Sequence, residues 1–212
     1  MQNADAGIAR RGKGRPLSFD RNAALERAMH AFWRHGYETT SIADLTAAMG
    51  VTPPSLYAAF GDKKRLFLEA VRLYVGDLAE VARAVDAAPT ARDAAQAMLL
   101  ASARAFTGED TPAGCLLSSA TATGSAGAAD VRDAVTEVRD AIRAMLQVRI
   151  ERDVATGVLP PGTDAAALAG LVVAITVGLS TLARDGATRA TSEAVALAGL
   201  AGWPGKRATP LT

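Results

Sequence analysis

The sequence predicts an all-α protein of about nine helices, and three observations predict it. Alanine fills 48 of the 212 positions. It is the strongest helix former, and the β-branched and aromatic residues that favour strands form no clusters. Apolar residues recur at the helical period of 3.6, and no period-2 run bounded by turn residues interrupts them. Glycine, proline and short polar residues fall where these stretches start and stop.

Residues 1–17 are rich in Gly and Arg without an apolar period and read as a flexible basic arm ending at Pro16. Ser18 or Asp20 can cap the first helix, where Leu25, Ala28, Met29, Phe32 and Trp33 form an apolar stripe over about 15 residues. Gly36 suits the left-handed position after it. Thr40 or Ser41 caps a short second helix, helped by Asp44 at its start. Ile42, Leu45 and Met49 are its inward face, and Gly50 stops it. Thr52 caps a third helix that opens with Pro53, a position proline tolerates, and ends at Phe60 before Gly61. Asp62 caps a fourth helix, which Phe67, Ala70, Val71, Tyr74, Leu78, Val81 and Ala82 carry to about residue 88. Beyond Pro89 the reading gives helices at about 90–107 and 112–123, then 130–157 capped by Asp130. Two more follow, at 164–184 capped by Asp164 and at about 190–203. The chain thus divides into the arm 1–17, a small helical unit 18–65, a larger one 66–204 and a tail 205–212.

The net charge of +1 hides a split. Residues 1–75 carry 11 Lys+Arg against 7 Asp+Glu, and the remainder carries 12 against 15. A basic first third on a mildly acidic remainder suits a chain of which one part meets a polyanion. The single Cys excludes a disulfide framework, and two His leave little for a metal site, so no metal or cofactor is expected. The N-terminus lacks the apolar stretch of a signal peptide, so a cytoplasmic setting with a reduced thiol is expected. Ala165 to Ala183 is a run of 19 uncharged residues, near the length of a membrane span. Its Gly, Ser and Thr content favours a buried helix, and no membrane partner is expected.

Residues 41–60 carry the most information. Two short helices at 41–49 and 53–60 are joined by Gly50-Val51-Thr52, the spacing of a helix-turn-helix. Ile42, Leu45, Val51 and Leu56 point inward and fix the angle between them, so the second helix can present its outer face to a major groove. Helices this short need bracing, and Phe32, Trp33, Phe60 and Phe67 supply the mass for it.

The run Thr39-Thr40-Ser41-Ile42-Ala43-Asp44-Leu45 through Met49-Gly50-Val51, then Ser55-Leu56-Tyr57-Ala58-Ala59-Phe60-Gly61-Asp62-Lys63, resembles the DNA-binding domain of TetR-type transcriptional repressors. Ala28 to Tyr37 is similar to the same family, the match covering about residues 18–70, and the Arg11-to-Pro16 arm before it also looks like that of many members. The resemblance implies a homodimer bound to double-stranded operator DNA. It also implies a C-terminal ligand-binding and dimerisation domain, whose small-molecule effector releases the DNA. Tyr57, Lys63, Thr40 and Ser41 correspond to phosphate contacts, and Pro54 and Ser55 lie where members meet bases; Thr52 is a further candidate DNA contact, and Ala58 is expected to add only apolar contact. Arg11, Lys13 and Arg15 correspond to an arm that enters the minor groove. Ala58 and Ala59 depart from the polar or aromatic residues of many members, so much of the affinity should lie in phosphates and the arm.

In the larger unit, Leu99, Ser102, Phe106, Cys115, Leu116, Ser119, Met145, Val172, Ile175 and Thr176 are candidates to line an effector site. A lining so poor in charge suits a mostly apolar or aromatic molecule. Cys115, at a helix start, is a small buried hydrophobe or a reactive thiol. Leu168, Leu171, Ile175, Gly178, Leu179 and Leu182, with Val195 and Leu197 of the last helix, are expected at a dimer seam. No nucleophile-base-acid set is visible, so catalysis is not expected. Two other readings stay open at this point: a membrane-associated helical protein built on residues 165–183, and a small helical enzyme with an incidental helix-turn-helix.

Overall fold

The computed structural model describes residues 19–120 and 128–205. Among them are ten helices and no strand. The arm, with Arg11, Lys13 and Arg15, lies outside the described residues, as do positions 121–127 and 206–212.

Helix α1 (Arg21–His35) is capped by Asp20, whose carboxylate accepts from the amides of Asn22 and Ala23. Helix α2 (Ile42–Met49) opens on a reciprocal capping box. The Ser41 hydroxyl accepts from the Asp44 amide, and the Asp44 carboxylate accepts from the Ser41 amide. Gly50 ends α2 at φ 69° and ψ 36°, a conformation that Gly adopts without steric cost, and α3 (Pro53–Phe60) follows. Leu45, Met49, Leu56, Phe60, Leu66 and Phe67 close a core under α1, with Phe32 wholly buried at its centre. The rings of Phe32 and Phe67 meet edge to face at 5.1 Å.

The fourth helix is shorter than the apolar period suggests. Gly76, at φ 69° and ψ −148°, breaks it into α4 (Lys63–Val75) and α5 (Leu78–Ala87), the latter capped afresh by Asp77. The stripe continues across the break, so periodicity alone misses it. Helix α6 (Ala91–Phe106) is capped by Thr90, and the short α7 (Leu116–Ala120) begins after Cys115. Helix α8 (Ala129–Ala155) starts without a side-chain cap; the Asp130 carboxylate instead pairs with Lys64 of α4. Helix α9 (Ala165–Arg184) is capped by Asp164, and α10 (Arg189–Gly199) ends before Trp203, which is buried beyond it.

Helix α6 packs on α8, α9 and α10, α9 packs on α8 and α10, and α5 leans on α6 and α8. One buried ion pair ties these layers. Arg149 and Asp153 of α8 pair with each other, both over nine-tenths buried. Arg149 Nη2 donates to the carbonyls of Ala88 and Pro89 at 3.0 and 2.9 Å. Asp153 accepts from the Ala91 amide at 2.7 Å. The two side chains therefore satisfy both the end of α5 and the start of α6, although Arg149 Nε is buried without a partner.

Candidate nucleic-acid interface and cavity

The outer surface of α1–α4 carries those of the predicted DNA-contacting groups that lie among the described residues, with one correction. Tyr57 is 47% exposed on α3. Pro54 and Ala58 are exposed beside it, and Ser55 is half-buried with its hydroxyl 2.9 Å from that of Thr52. Thr52 stands at the start of α3 but its side chain caps no amide there. Ser41 and the start of α2 are exposed. Thr40 is not: its side chain is buried, and its hydroxyl donates to the Gly36 carbonyl at 2.6 Å. That hydroxyl fastens the turn after α1 and is spent in doing so.

Lys63 is half-buried at the head of α4. Its ammonium lies 4.6 Å from the centre of the Tyr37 ring and donates to the Glu38 carbonyl at 3.3 Å. Burial lowers its pKa from the usual lysine value, against the opposing pull of Glu38 and Asp44. The Asp44 carboxyl is held below the usual carboxylate range by the Ser41 hydroxyl and then the Ser41 amide.

Behind this surface lies a cavity of about 430 Å³ among α5, α6, α8 and α9. Apolar side chains dominate its wall, among them Val81, Val85, Met98, Ile142, Val172 and Val173. Of the ten residues expected at an effector site, Ser102, Cys115, Val172 and Thr176 line it. The others do not. Leu99 and Phe106 lie on the α6 stripe that is buried in the core, one helical face away from the stripe Ala94, Ala97, Met98, Ala101 and Ser102 on the cavity. Leu116 is buried, and Ser119 turns toward α1. Met145 borders a separate groove between α5 and α8. Ile175 packs on Gly199 of α10, so close that a Cβ there would sit 2.5 Å from its Cδ1. Missed from the sequence are the α5 wall and Arg139, the one charged side chain of the lining among the described residues. Its Nη2 donates to the Leu117 carbonyl at 2.8 Å.

The segment 114–119 stands between the cavity and α1. Cys115, Leu117 and Ser118 face the cavity. Trp33 Nε1 donates to the Gly114 carbonyl at 2.9 Å, and the Ser119 hydroxyl donates to the Trp33 carbonyl at 2.9 Å. Tyr74 of α4 packs edge to face on Trp33 at 4.8 Å and donates its hydroxyl to Cys115 Sγ at 3.4 Å. Burial, and then Cys115, raise the Tyr74 phenol far above its usual pKa. From the α9 side, Ser180 accepts from the Cys115 amide at 2.8 Å, and Arg184 donates to the Cys115 carbonyl at 3.1 Å and to Ser119. No sequence signal links Trp33 with Gly114 across a separation of 81 residues.

The predicted seam residues divide. Leu171, Gly178, Val195 and Leu197 are exposed, and Leu168, Ile175 and Leu182 are half-buried. Leu179 is wholly buried within the protomer. Residues four apart advance 40° around a helix of 3.6 residues per turn, so a row that starts outward at Leu171 turns inward by Leu179. The outward stripe is instead Ala167, Leu171, Ala174, Gly178 and Thr181. Helix α9 has the length and apolarity of a membrane span, and only 28% of that window is buried in the protomer, so the buried helix expected from its Gly, Ser and Thr content is corrected: one face packs inward and the stripe from Ala167 to Thr181 is exposed. Among the described residues no group of three or more His, Cys, Asp or Glu could hold a metal ion.

A braced helix-turn-helix joined to a helical unit with an apolar cavity defines a DNA-binding regulator of the two-domain all-α class. Comparison with known proteins places it. Residues 24–70 match the family model for bacterial regulatory proteins of the tetR family. Residues 93–197 match that for the tetracyclin repressor-like C-terminal domain. The chain is 35% identical over 197 residues to the HTH-type transcriptional repressor ComR of Escherichia coli K12, covering 92% of this chain and 94% of that one. It is 43% identical over 63 residues to the transcriptional repressor BdcR of the same organism, covering 30% and 32%. Among solved structures it superposes with a TM-score of 0.83 on a cysteine mutant of the TetR family regulator CifR complexed with 26bp double-strand operator DNA. Identity there is 40%, with 90% of this chain and 100% of that chain covered. The chain belongs to the TetR family of bacterial transcriptional regulators, and it is a DNA-binding transcription regulator.

Proposed function

We propose that the protein is a cytoplasmic homodimeric repressor that holds a palindromic operator and leaves it when a small, mostly apolar or aromatic molecule enters the α5–α9 cavity. Tyr57, Ser41 and Lys63 take phosphates, and Pro54, Ser55 and Ala58 face the bases. Arg11, Lys13 and Arg15 of the arm 1–17 enter the minor groove. The DNA-binding unit spans residues 18–65 and the effector unit 66–204. The outward stripe of α9 with Val195 and Leu197 of α10 meets its copy across a two-fold axis. The names of ComR and BdcR as repressors, and the operator complex of CifR, support this reading.

The observation that carries the release step is the pair of hydrogen bonds between Trp33 and segment 114–119. Three residues of that segment form cavity wall, and its two ends hold the end of α1. A molecule wedged against Cys115, Leu117 or Ser118 moves the groups that hold Trp33, and with them Gly36 and the turn that positions α2. Effector binding and DNA binding then compete for one packing arrangement, which is a coupling free energy between two sites.

The experiment is a gel shift with DNA from upstream of the protein's own gene, repeated with a panel of small apolar and aromatic molecules. The reading predicts a discrete complex that some members of the panel dissolve. A chain that shifts no specific fragment contradicts it.

A further inference from the structure

We propose that α3 recognises its operator chiefly through thymine methyl groups, read by Pro54 and Ala58, rather than through hydrogen bonds to base edges. The inference rests on the operator-binding reading above and names the chemistry of that same surface.

Helix α3 is fixed in rotation by Leu56 and Phe60, both buried in the core. At 100° per residue the direction opposite those two is occupied by Ala58, flanked by Pro54 and Ser55. The exposures agree, for Pro54 and Ala58 are exposed and Ser55 half-buried. The face turned toward a groove is therefore apolar apart from one hydroxyl. That hydroxyl is already within 2.9 Å of the Thr52 hydroxyl.

The backbone adds one amide, that of Ser55. A helix start ordinarily offers several free amides to a ligand. Pro53 and Pro54 occupy the first two positions of α3 and have no N–H. The Leu56 amide is used by the Thr52 carbonyl at 3.0 Å.

Guanine is read by Arg or Lys, adenine by Asn or Gln, and cytosine by Asp or Glu, while Ser and Thr can serve several edges. The outward face of α3 has none of the long readers and offers only the Ser55 hydroxyl, which shares a bond with Thr52. The thymine methyl is the one apolar group among the four bases in the major groove, and it is the partner that a pyrrolidine ring and an alanine methyl can take. Tyr57, on the flank toward Pro53, remains available for a phosphate.

The test uses the full chain. Duplexes are enriched from a random library, and the enriched operator is resynthesised with deoxyuridine at each thymidine. This removes only the methyl. Fluorescence anisotropy then gives the affinities. The inference predicts enriched thymines under α3 in both half-sites and a loss of about fourfold in affinity for each one replaced. In Ala58→Gly that loss disappears at the thymine facing position 58. Ala58→Ser, with an unchanged melting temperature, serves if the glycine disturbs α3. Enriched thymines insensitive to deoxyuridine belong to duplex shape and overturn the inference, as do invariant G·C pairs under α3. If no sequence is enriched, the operator-binding reading itself falls, and this inference with it.

Discussion

The indole N–H of Trp33, in α1, donates to the carbonyl of Gly114, 81 residues later, at 2.9 Å in a buried setting. The Ser119 hydroxyl returns a bond of 2.9 Å to the Trp33 carbonyl. One residue of the DNA-binding half is thus held from both sides by a segment whose opposite face is cavity wall. Gly114 itself has φ 82°, and a Cβ there would lie 2.5 Å from Arg184 Nε, so the carbonyl is presented from a backbone that only Gly can supply here.

Trp33→Phe removes the indole donor and leaves the Gly114 carbonyl unsatisfied. It should cost about 1–3 kcal/mol in chemical denaturation. It should also blunt release, so that a molecule dissolving the wild-type operator complex binds the variant but dissolves its complex less. Paired calorimetry and gel-shift titrations check both halves.

Ala101→Phe places a ring into the cavity from α6, where Ala101 is exposed on its wall. Filling apolar space should leave operator affinity within about twofold while removing the enhanced fluorescence of 1-anilinonaphthalene-8-sulfonate with wild-type protein. Retained dye binding with an unchanged midpoint counts against this cavity as the ligand site.

Asp153→Ala strips the partner from Arg149, leaving a buried guanidinium and an unpaired Ala91 amide. The expected loss is about 3–5 kcal/mol, read as a fall in the urea midpoint. A loss under 1 kcal/mol contradicts the role given to the pair.

Asp44 gives a pH dependence of known sign. Its folded pKa lies below the usual carboxylate value because the charged form accepts from the Ser41 hydroxyl and amide. The stabilisation is therefore complete above the ordinary value near 4. It is lost as pH falls through the lower folded value. Wild type should melt higher than Asp44→Asn at pH 7, and the gap should narrow as pH falls below the ordinary carboxylate value. A gap that persists in acid removes the carboxylate from the account.

Gly178→Leu adds a branched side chain to the outward stripe of α9, at a position with no neighbour within 4 Å in the protomer. If two copies approach closely there, the change weakens the dimer while each protomer stays folded. Sedimentation should show a concentration-dependent monomer in the variant alone.

Much of the fold was legible because helix starts and stops are written locally. Ser41 with Asp44, Asp62 and Asp164 cap where their side-chain chemistry suggests. Gly50 was legible for the same reason, since the turn needs a left-handed residue. Asp130 was misleading: a caplike residue can be drawn off by a distant cation, here Lys64. Gly76 was missed because a break that preserves the apolar stripe leaves the period intact. Tyr57, Ser55 and Pro54 were legible as surface because Leu56 and Phe60 fix the rotation of α3. Thr40 was not, because a hydroxyl that bonds back to Gly36 looks the same in sequence as one that faces DNA. On α6 the period shows two apolar stripes but not which borders a cavity, so Leu99 and Ser102 were grouped though they face different ways.

A paired helix-turn-helix must hold its own operator far more tightly than other DNA. The decisive measurement is an anisotropy titration of the full chain against a duplex from upstream of its own gene and against a scrambled duplex of equal composition, over a range of salt. The account predicts saturation at an even number of protomers per duplex, at least about a thousandfold preference for the native sequence, and affinity falling steeply as salt rises. Equal affinity for both duplexes contradicts it.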